Sequence, residues 1–191
     1  ADPGRPLRFL FVGFLALRKG VHVLLDAWRK ADLSAELWLA GGNTEPWIEQ
    51  NWLAHLPDTV QRVGHRSDID RRYAQADVFV FPSLEEGGPQ VCYEAAAHGL
   101  PLVVTPMGGG RIAAQDETAL IVPPSDPDAL AEALVRLHDR ADLRLQLGQG
   151  ALHAADEFSW PNVDARRKDA LCGLLKLFDF SGGRGSISRA K

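Results

Sequence analysis

The chain has only two cysteines in 191 residues, too few to frame a disulfide scaffold. Cys92 and Cys172 lie far apart and lack metal-ligand spacing, so they read as reduced thiols. No uninterrupted apolar stretch approaches the roughly 18 residues that span a bilayer. Basic charge is not in excess either. Lys and Arg number 21 against 25 Asp and Glu, a formal net charge of −4, which excludes a general nucleic-acid binder with a basic face. The six histidines are scattered and none stands in an HExxH-type ligand pattern. The single methionine is Met107, and the opening Ala1-Asp2-Pro3-Gly4-Arg5-Pro6 carries no signal-peptide pattern. Residues 1–6 therefore read as a linker, and the chain is expected to be a fragment of a longer protein.

What is present is an apolar fraction of 46%, too high for disorder, in a chain long enough to bury roughly 70% of its unfolded surface. Short apolar runs alternate with amphipathic stretches. The runs at 8–12, 35–40, 60–63, 77–82, 102–105 and 119–122 read as strands. Between them, residues 21–30 place Val21, Leu24, Leu25 and Trp28 at helical spacing. Residues 46–56 read as a helix with Thr44 as its cap, and Ser67 or Asp68 caps a short helix to 76. A helix at 89–98 is closed by Gly99, and Asp126-Pro127 opens one reaching about 140. Helices at 143–158 and 159–180 follow, and the Gly/Ser-rich residues 181–191 read as a disordered tail. Continuously apolar strands alternating with helices predict a doubly wound, mostly parallel sheet with helices on both faces, occupying residues 7–158.

Ligands of such folds bind beyond the carboxyl ends of the strands. The first of these loops runs from Gly13 to Gly20 and sets Arg18 and Lys19 just before a helix. Cations at a helix N-terminus oppose the helix dipole unless an anion sits there. The loop reads either as a diphosphate site or as a solvated basic turn. After the fourth strand, Gly87-Gly88-Pro89 presents backbone amides, chiefly those of Gly88, Gln90 and Val91, around a helix start. Glu86 stands at its rim and Glu94 one turn inside the helix, each able to accept from vicinal hydroxyls; taken alone, Glu86 reads better as a solvated loop acid and Glu94 as a first-turn partner of the helix dipole. The run Gly108-Gly109-Gly110-Arg111-Ile112-Ala113 satisfies G-x-G-x-x-A, but the strand at 119 leaves no room for the helix of a dinucleotide unit.

Taken together, Phe11-Val12-Gly13, Arg18-Lys19-Gly20, Pro82-Ser83, Glu86-Gly87-Gly88-Pro89, Glu94-Ala95 and His98-Gly99-Leu100-Pro101 resemble the C-terminal half of a GT-B glycosyltransferase. The likeness is to the large retaining family numbered 4, whose E-x7-E signature matches Glu86 and Glu94, and it extends over residues 7–160. The resemblance implies a Rossmann-like domain binding a UDP- or GDP-sugar without a metal or other cofactor. It implies Lys19, with Arg18, on the donor diphosphate and Glu86 on the donor sugar. Glu94 would hold the ribose, and Gly13, Gly87, Gly88, Pro89, Gln90 and Val91 would line the donor site. Gly64-His65-Arg66-Ser67 falls at the nucleobase position, with Arg66 as its binding residue.

Three positions depart from the pattern: Phe14 stands where an arginine is common, Arg111 near a frequent glutamate, and Ala119 at a frequent glycine. The resemblance further implies hexosyl transfer to a glycan or lipid-linked acceptor. It places the acceptor site on an N-terminal domain absent from this chain, so the isolated domain is expected to be inactive. The parent is expected to be cytoplasmic, with peripheral association at the inner membrane face. A degenerate binding module without turnover is the alternative, and a dinucleotide oxidoreductase a third reading.

Overall fold

The computed structural model describes residues 4–42, 44–64 and 69–177. The chain divides into two compact units, Ala1–Asp156 and Glu157–Lys191. In the first, β1 forms at Leu7–Val12, where Phe9, Leu10 and Phe11 are wholly buried. Consecutive buried residues point to opposite sides of a strand, so β1 is covered on both faces. It pairs in parallel with β2 (Ala35–Ala40) on one side and β4 (Val78–Phe81) on the other. With β3 (Val60–Arg62), β5 (Leu102–Val104) and β6 (Ala119–Ile121), the order is β3-β2-β1-β4-β5-β6, parallel throughout. All six expected strands are present, and the doubly wound sheet is as the alternation predicted.

Parallel strands need crossover connections, and right-handed crossovers put helices on both faces of such a sheet. Helix α1 (Val21–Ala31) buries Val21, Leu24, Leu25 and Trp28, the stripe its spacing predicted. It packs against α5 (Pro127–Asp139), whose cap is Asp126, accepting from the amides of Asp128 and Ala129 at 3.1 and 2.9 Å. On the other side α3 (Ile69–Gln75) contacts β1, and α4 (Gln90–Ala97) lies against β4 and β5. The buried face of α4 is Cys92, Ala95 and Ala96, small side chains that let the helix sit close to the sheet. α6 (Ala141–Glu157) begins two residues earlier than its sequence suggests. In the second unit, α7 (Trp160–Leu177) has the carbonyl of Ser159 accepting from the Val163 amide at 2.9 Å.

The helix expected at 46–56 is a correction. Only Pro46–Ile48, α2, is α-helical, and Glu49–Leu53 continues as a wider π turn. Its N-terminal flanking residue is Glu45, because Thr44 is committed elsewhere: it bridges Leu15 and its hydroxyl accepts from Arg62 at 3.2 Å. The Ser67 or Asp68 cap, residues 178–180 of the last helix and the 181–191 tail lie outside the described residues.

Two positions beside the first loop yield measurable expectations. Gly20 has φ +70°, and a Cβ there would stand 2.0 Å from the Pro82 carbonyl oxygen. Gly20→Ala should destabilise the fold by about 2–4 kcal/mol in urea unfolding, since strain and overlap coincide. His22 lies edge-on to Trp52 at 5.7 Å, and its buried Nδ1 has no hydrogen-bond partner among the described residues. Burial lowers its pKa from 6.5, against a smaller raising effect of Asp26 and Glu45. A depressed pKa means that the folded state binds fewer protons than the unfolded one. The stability from neutral His22 is therefore full above pH 6.5 and is lost as the pH falls through that value toward the folded pKa. His22→Phe should flatten that part of the stability–pH curve; an unchanged difference from wild type across the window would contradict it.

Candidate functional site

The sheet order reverses direction between β1 and β4, the switch point at which folds of this kind bind ligands in a crevice beyond the carboxyl ends of the strands. After β1 the chain makes a 3₁₀ turn at Leu17–Lys19 and ends it at Gly20 in the left-handed region. That turn aims the Arg18 carbonyl at the β4 loop, where it accepts from the Leu84 amide at 2.8 Å and lies 3.0 Å from the Ser83 hydroxyl. The same hydroxyl is 2.8 Å from Glu86 Oε1, which also receives the Lys19 ammonium. Lys19 and Glu86 thus form an ion pair with side chains only 11% and 8% exposed. Lys19 Nζ also lies 5.3 Å from the centre of the Phe81 ring. The Arg18 guanidinium is exposed and has no partner among the described residues.

A third loop supports this one from below. Thr105 Oγ1 donates to the Ser83 carbonyl and accepts from the Gly108 amide at 3.0 Å. A Cβ on Gly108 would stand 2.6 Å from the Phe81 carbonyl oxygen, so glycine is required for the close approach. Residues 106–112 are turns rather than a helix, and the Arg111 amide donates to the Tyr93 hydroxyl at 3.1 Å. The G-x-G-x-x-A match is accounted for by this packing against β4 and α4.

Gly87 and Gly88 are exposed, and a Cβ on either would meet nothing within 4 Å. Open space therefore lies over this backbone, which leads through buried Pro89 into the N-terminus of α4. Of the three amides expected to be unblocked, Gln90's is occupied, donating to the Gly88 carbonyl at 2.9 Å. The correction has a physical cause: the tight turn into the helix brings that carbonyl back over its second following amide. Those of Gly88 and Val91 carry no backbone hydrogen bond among the described residues.

Glu94 sits one turn into α4, and its Oε2 accepts from the hydroxyl of buried Tyr73 at 2.8 Å. Burial first, then the charge of Glu94 and the bond donated to it, pushes the Tyr73 hydroxyl far above its ordinary pKa. Cys92, wholly buried with its thiol on the Gly108 carbonyl at 3.1 Å, is also pushed up, chiefly by burial and then by Glu86, against a lowering effect of Lys19. A thiol so held is no nucleophile.

Gly13 donates to the Ala40 carbonyl at 3.0 Å, tying the β1 loop to the end of β2, and Phe14 is 52% exposed. The structure brings Lys19 and Glu86 together beyond the ends of β1 and β4, and a Cβ on Gly13 would stand 3.4 Å from the Phe81 ring at the end of β4. Arg66 lies outside the described residues. No three His, Cys, Asp or Glu side chains among the described residues converge as a metal site would. Sequence reasoning assigned no role to Ser83, Tyr73 or Thr105. The Pro82-Ser83 pair was a visible signal, whereas Tyr73 offered only a lone aromatic on a short polar helix.

The sheet order defines a Rossmann-type domain of the kind found in GT-B glycosyltransferases. Residues 6–140 match the family described as glycosyl transferases group 1, and the chain belongs to that family. It is 31% identical over 177 residues to a D-inositol 3-phosphate glycosyltransferase of Corynebacterium glutamicum, covering 82% of this chain and 41% of the relative. The Corynebacterium diphtheriae enzyme of that name is 34% identical over 183 residues, 88% of this chain and 43% of the relative. Among solved structures, sucrose-phosphate synthase of Thermosynechococcus elongatus superposes with a TM-score of 0.77 at 28% identity, covering 92% of this chain and 47% of that one. Anabaena HepE in complex with UDP shares the fold, with a TM-score of 0.78 at 20% identity over 88% of this chain and 49% of that one. The chain spans less than half the length of each. No helix among the described residues is long and apolar enough to cross a membrane.

The ion pair invites a double-mutant cycle. Lys19→Met leaves the Glu86 carboxylate desolvated without its cation, an error worth about 3 kcal/mol of unfolding free energy. Lys19→Met combined with Glu86→Gln should recover much of that loss in urea denaturation, so the two effects should not add.

Proposed function

We propose that this chain is the nucleotide-sugar donor-binding domain of a retaining glycosyltransferase, transferring a hexosyl group from a UDP- or GDP-sugar to a glycan or lipid-linked acceptor. The observation that carries this reading is the crevice itself: Lys19 against Glu86, open backbone at Gly87–Gly88, and Glu94 on the first turns of α4. Lys19 and Arg18 supply positive charge for the diphosphate. The Gly88 and Val91 amides and the α4 dipole add preorganised donors where negative charge grows on the leaving group. Without ligand, Lys19 is neutralised by Glu86. An arriving diphosphate competes for the ammonium, while sugar hydroxyls donate to the freed carboxylate. One donor thus replaces both halves of the ion pair. Glu94 takes the ribose hydroxyls, and Gly13, Pro89, Gln90 and Arg66 complete the donor pocket.

The bond between the anomeric carbon and the diphosphate oxygen breaks as the acceptor oxygen adds from the same face, the hydroxyl proton passes to the departing diphosphate, and configuration is retained. No metal is required in this reading, because the cations and helix terminus carry the leaving-group charge. The acceptor belongs to an N-terminal domain of the parent chain, so the isolated domain binds donor and transfers little. The parent works in the cytoplasm and docks peripherally at the membrane. Exposed Phe14, where an arginine is common, together with Arg111, favours a second reading as a binding module without turnover. Activity of the parent protein with and without Glu86→Gln separates the two.

Ligand-observed NMR with UDP, GDP and their sugars tests the donor reading. We expect weak binding, with Glu94→Ala weakening the nucleoside diphosphate more than Glu86→Ala does. A folded protein that binds none of them, or the reverse order of the two variants, would sink the assignment.

A further inference from the structure

Each carboxylate of the Glu86 and Glu94 pair has one oxygen tied to a hydroxyl that the fold buries, Ser83 in one case and Tyr73 in the other. The Tyr73 arrangement is the more constrained. Its side chain is wholly buried, and a buried phenol needs a partner for its polar tip. Its ring packs against Phe79 at 6.0 Å and stacks on His98 at 5.1 Å with 28° between planes. His98 is in turn fixed to α4, with Nδ1 2.9 Å from the Glu94 carbonyl oxygen. The phenol therefore cannot follow Glu94 if that side chain turns into solvent.

The phenol has one proton, and the nearest acceptor is Glu94 Oε2 at 2.8 Å; the Val91 carbonyl is at 3.5 Å. The opposite oxygen of Glu94 carries no hydrogen bond among the described residues, and the residue is exposed. A carboxylate offers about four lone-pair directions. With one committed, the remaining directions are set in space rather than left to side-chain rotation. Two adjacent hydroxyls on a rigid ring demand such a fixed pair of acceptors.

We propose that Tyr73 is a positioning residue: its buried hydroxyl holds the Glu94 carboxylate in the orientation that accepts both ribose hydroxyls, and so sets selectivity for ribo- over 2′-deoxyribonucleotides. The proposal rests on the reading of Glu94 as the ribose acid. With burial raising the Tyr73 pKa, the phenol stays protonated and remains a donor throughout the working pH range. Removing the hydroxyl leaves the charge of Glu94 intact but releases the carboxylate to rotate and solvate. Selectivity then falls more than affinity for a ligand lacking the 2′-hydroxyl.

The test titrates the whole chain, as wild type, Tyr73→Phe and Glu94→Gln, with UDP, 2′-deoxy-UDP, GDP and 2′-deoxy-GDP. Wild type should prefer the ribonucleotide by about tenfold, the scale of one well-made hydrogen bond to a charged group. Tyr73→Phe should cut that preference to about twofold, weakening the ribonucleotide, which donates from two hydroxyls, more than the deoxy ligand, which donates only from its 3′-hydroxyl. Equal weakening toward both ligands, or a preference equal to wild type, overturns the positioning role. Loss of preference in Glu94→Gln with wild-type preference in Tyr73→Phe overturns this proposal alone. A folded wild type that binds no nucleoside diphosphate overturns the donor reading and this proposal with it. Should Tyr73→Phe fail to fold by circular dichroism, the hydroxyl proton resonance of Tyr73 in the wild type decides: a larger shift with UDP than with 2′-deoxy-UDP supports the role, and equal shifts overturn it.

Discussion

The Ser83 hydroxyl joins two loops that leave the sheet in different directions. It lies within hydrogen-bond reach of the Arg18 carbonyl on one loop and of Glu86 Oε1 on the other, and that carboxylate in turn takes the Lys19 ammonium. Parallel neighbours share hydrogen bonds along their length, but beyond their carboxyl ends nothing in the sheet holds the loops at a fixed spacing. The clamp supplies it. Because the ion pair is largely desolvated, each charge requires the other, and neither side chain can be exchanged alone without leaving an unpaired charge. A ligand carrying both an anion and hydroxyl donors is the natural competitor for such a pair.

Around the clamp, the close approaches are made by residues whose size is restricted rather than by charged ones. Gly20 lets the β1 loop pass under Pro82, and Gly108 lets the third loop meet Phe81. Cys92, Ala95 and Ala96 bring α4 down on the sheet so that its N-terminus faces the crevice. Packing interiors to crystal-like density transmits such restrictions directly. The position of Glu94 is therefore a consequence of small side chains on the opposite face of its helix. Its orientation is a consequence of a tyrosine from α3, twenty-one residues earlier.

A substantial part of the fold and of the site could be read from the residues in order. Continuous apolar runs such as 9–11 and 78–81 identified strands buried on both faces, and the helical stripe of α1 was visible in its spacing. The Lys19 turn, Glu86 and the glycines after β4 were legible as candidates because each lies in a loop that follows a strand, and Glu94 because it falls in the helix after that loop. The helix after Pro46 was misjudged because Thr44, a good cap by type, is drawn into contacts with Leu15 and Arg62. The free amide assigned to Gln90 was lost to an inverse γ-turn centred on Pro89, whose φ of −78° and ψ of 79° close the bond from Gln90 to the Gly88 carbonyl.

Sequence alone determined the order of elements, the doubly wound class and which loops leave the carboxyl ends of the strands, because hydrophobic periodicity and glycine placement are local properties. Tertiary structure decided that Lys19 neutralises Glu86 and that Ser83 anchors both loops. It also decided that Tyr73 restrains Glu94. These pairs lie 67, 65 and 21 residues apart, and only the closing of the sheet brings them within bonding distance. A hydrogen bond is selective over tenths of an ångström, a scale at which linear spacing carries no information.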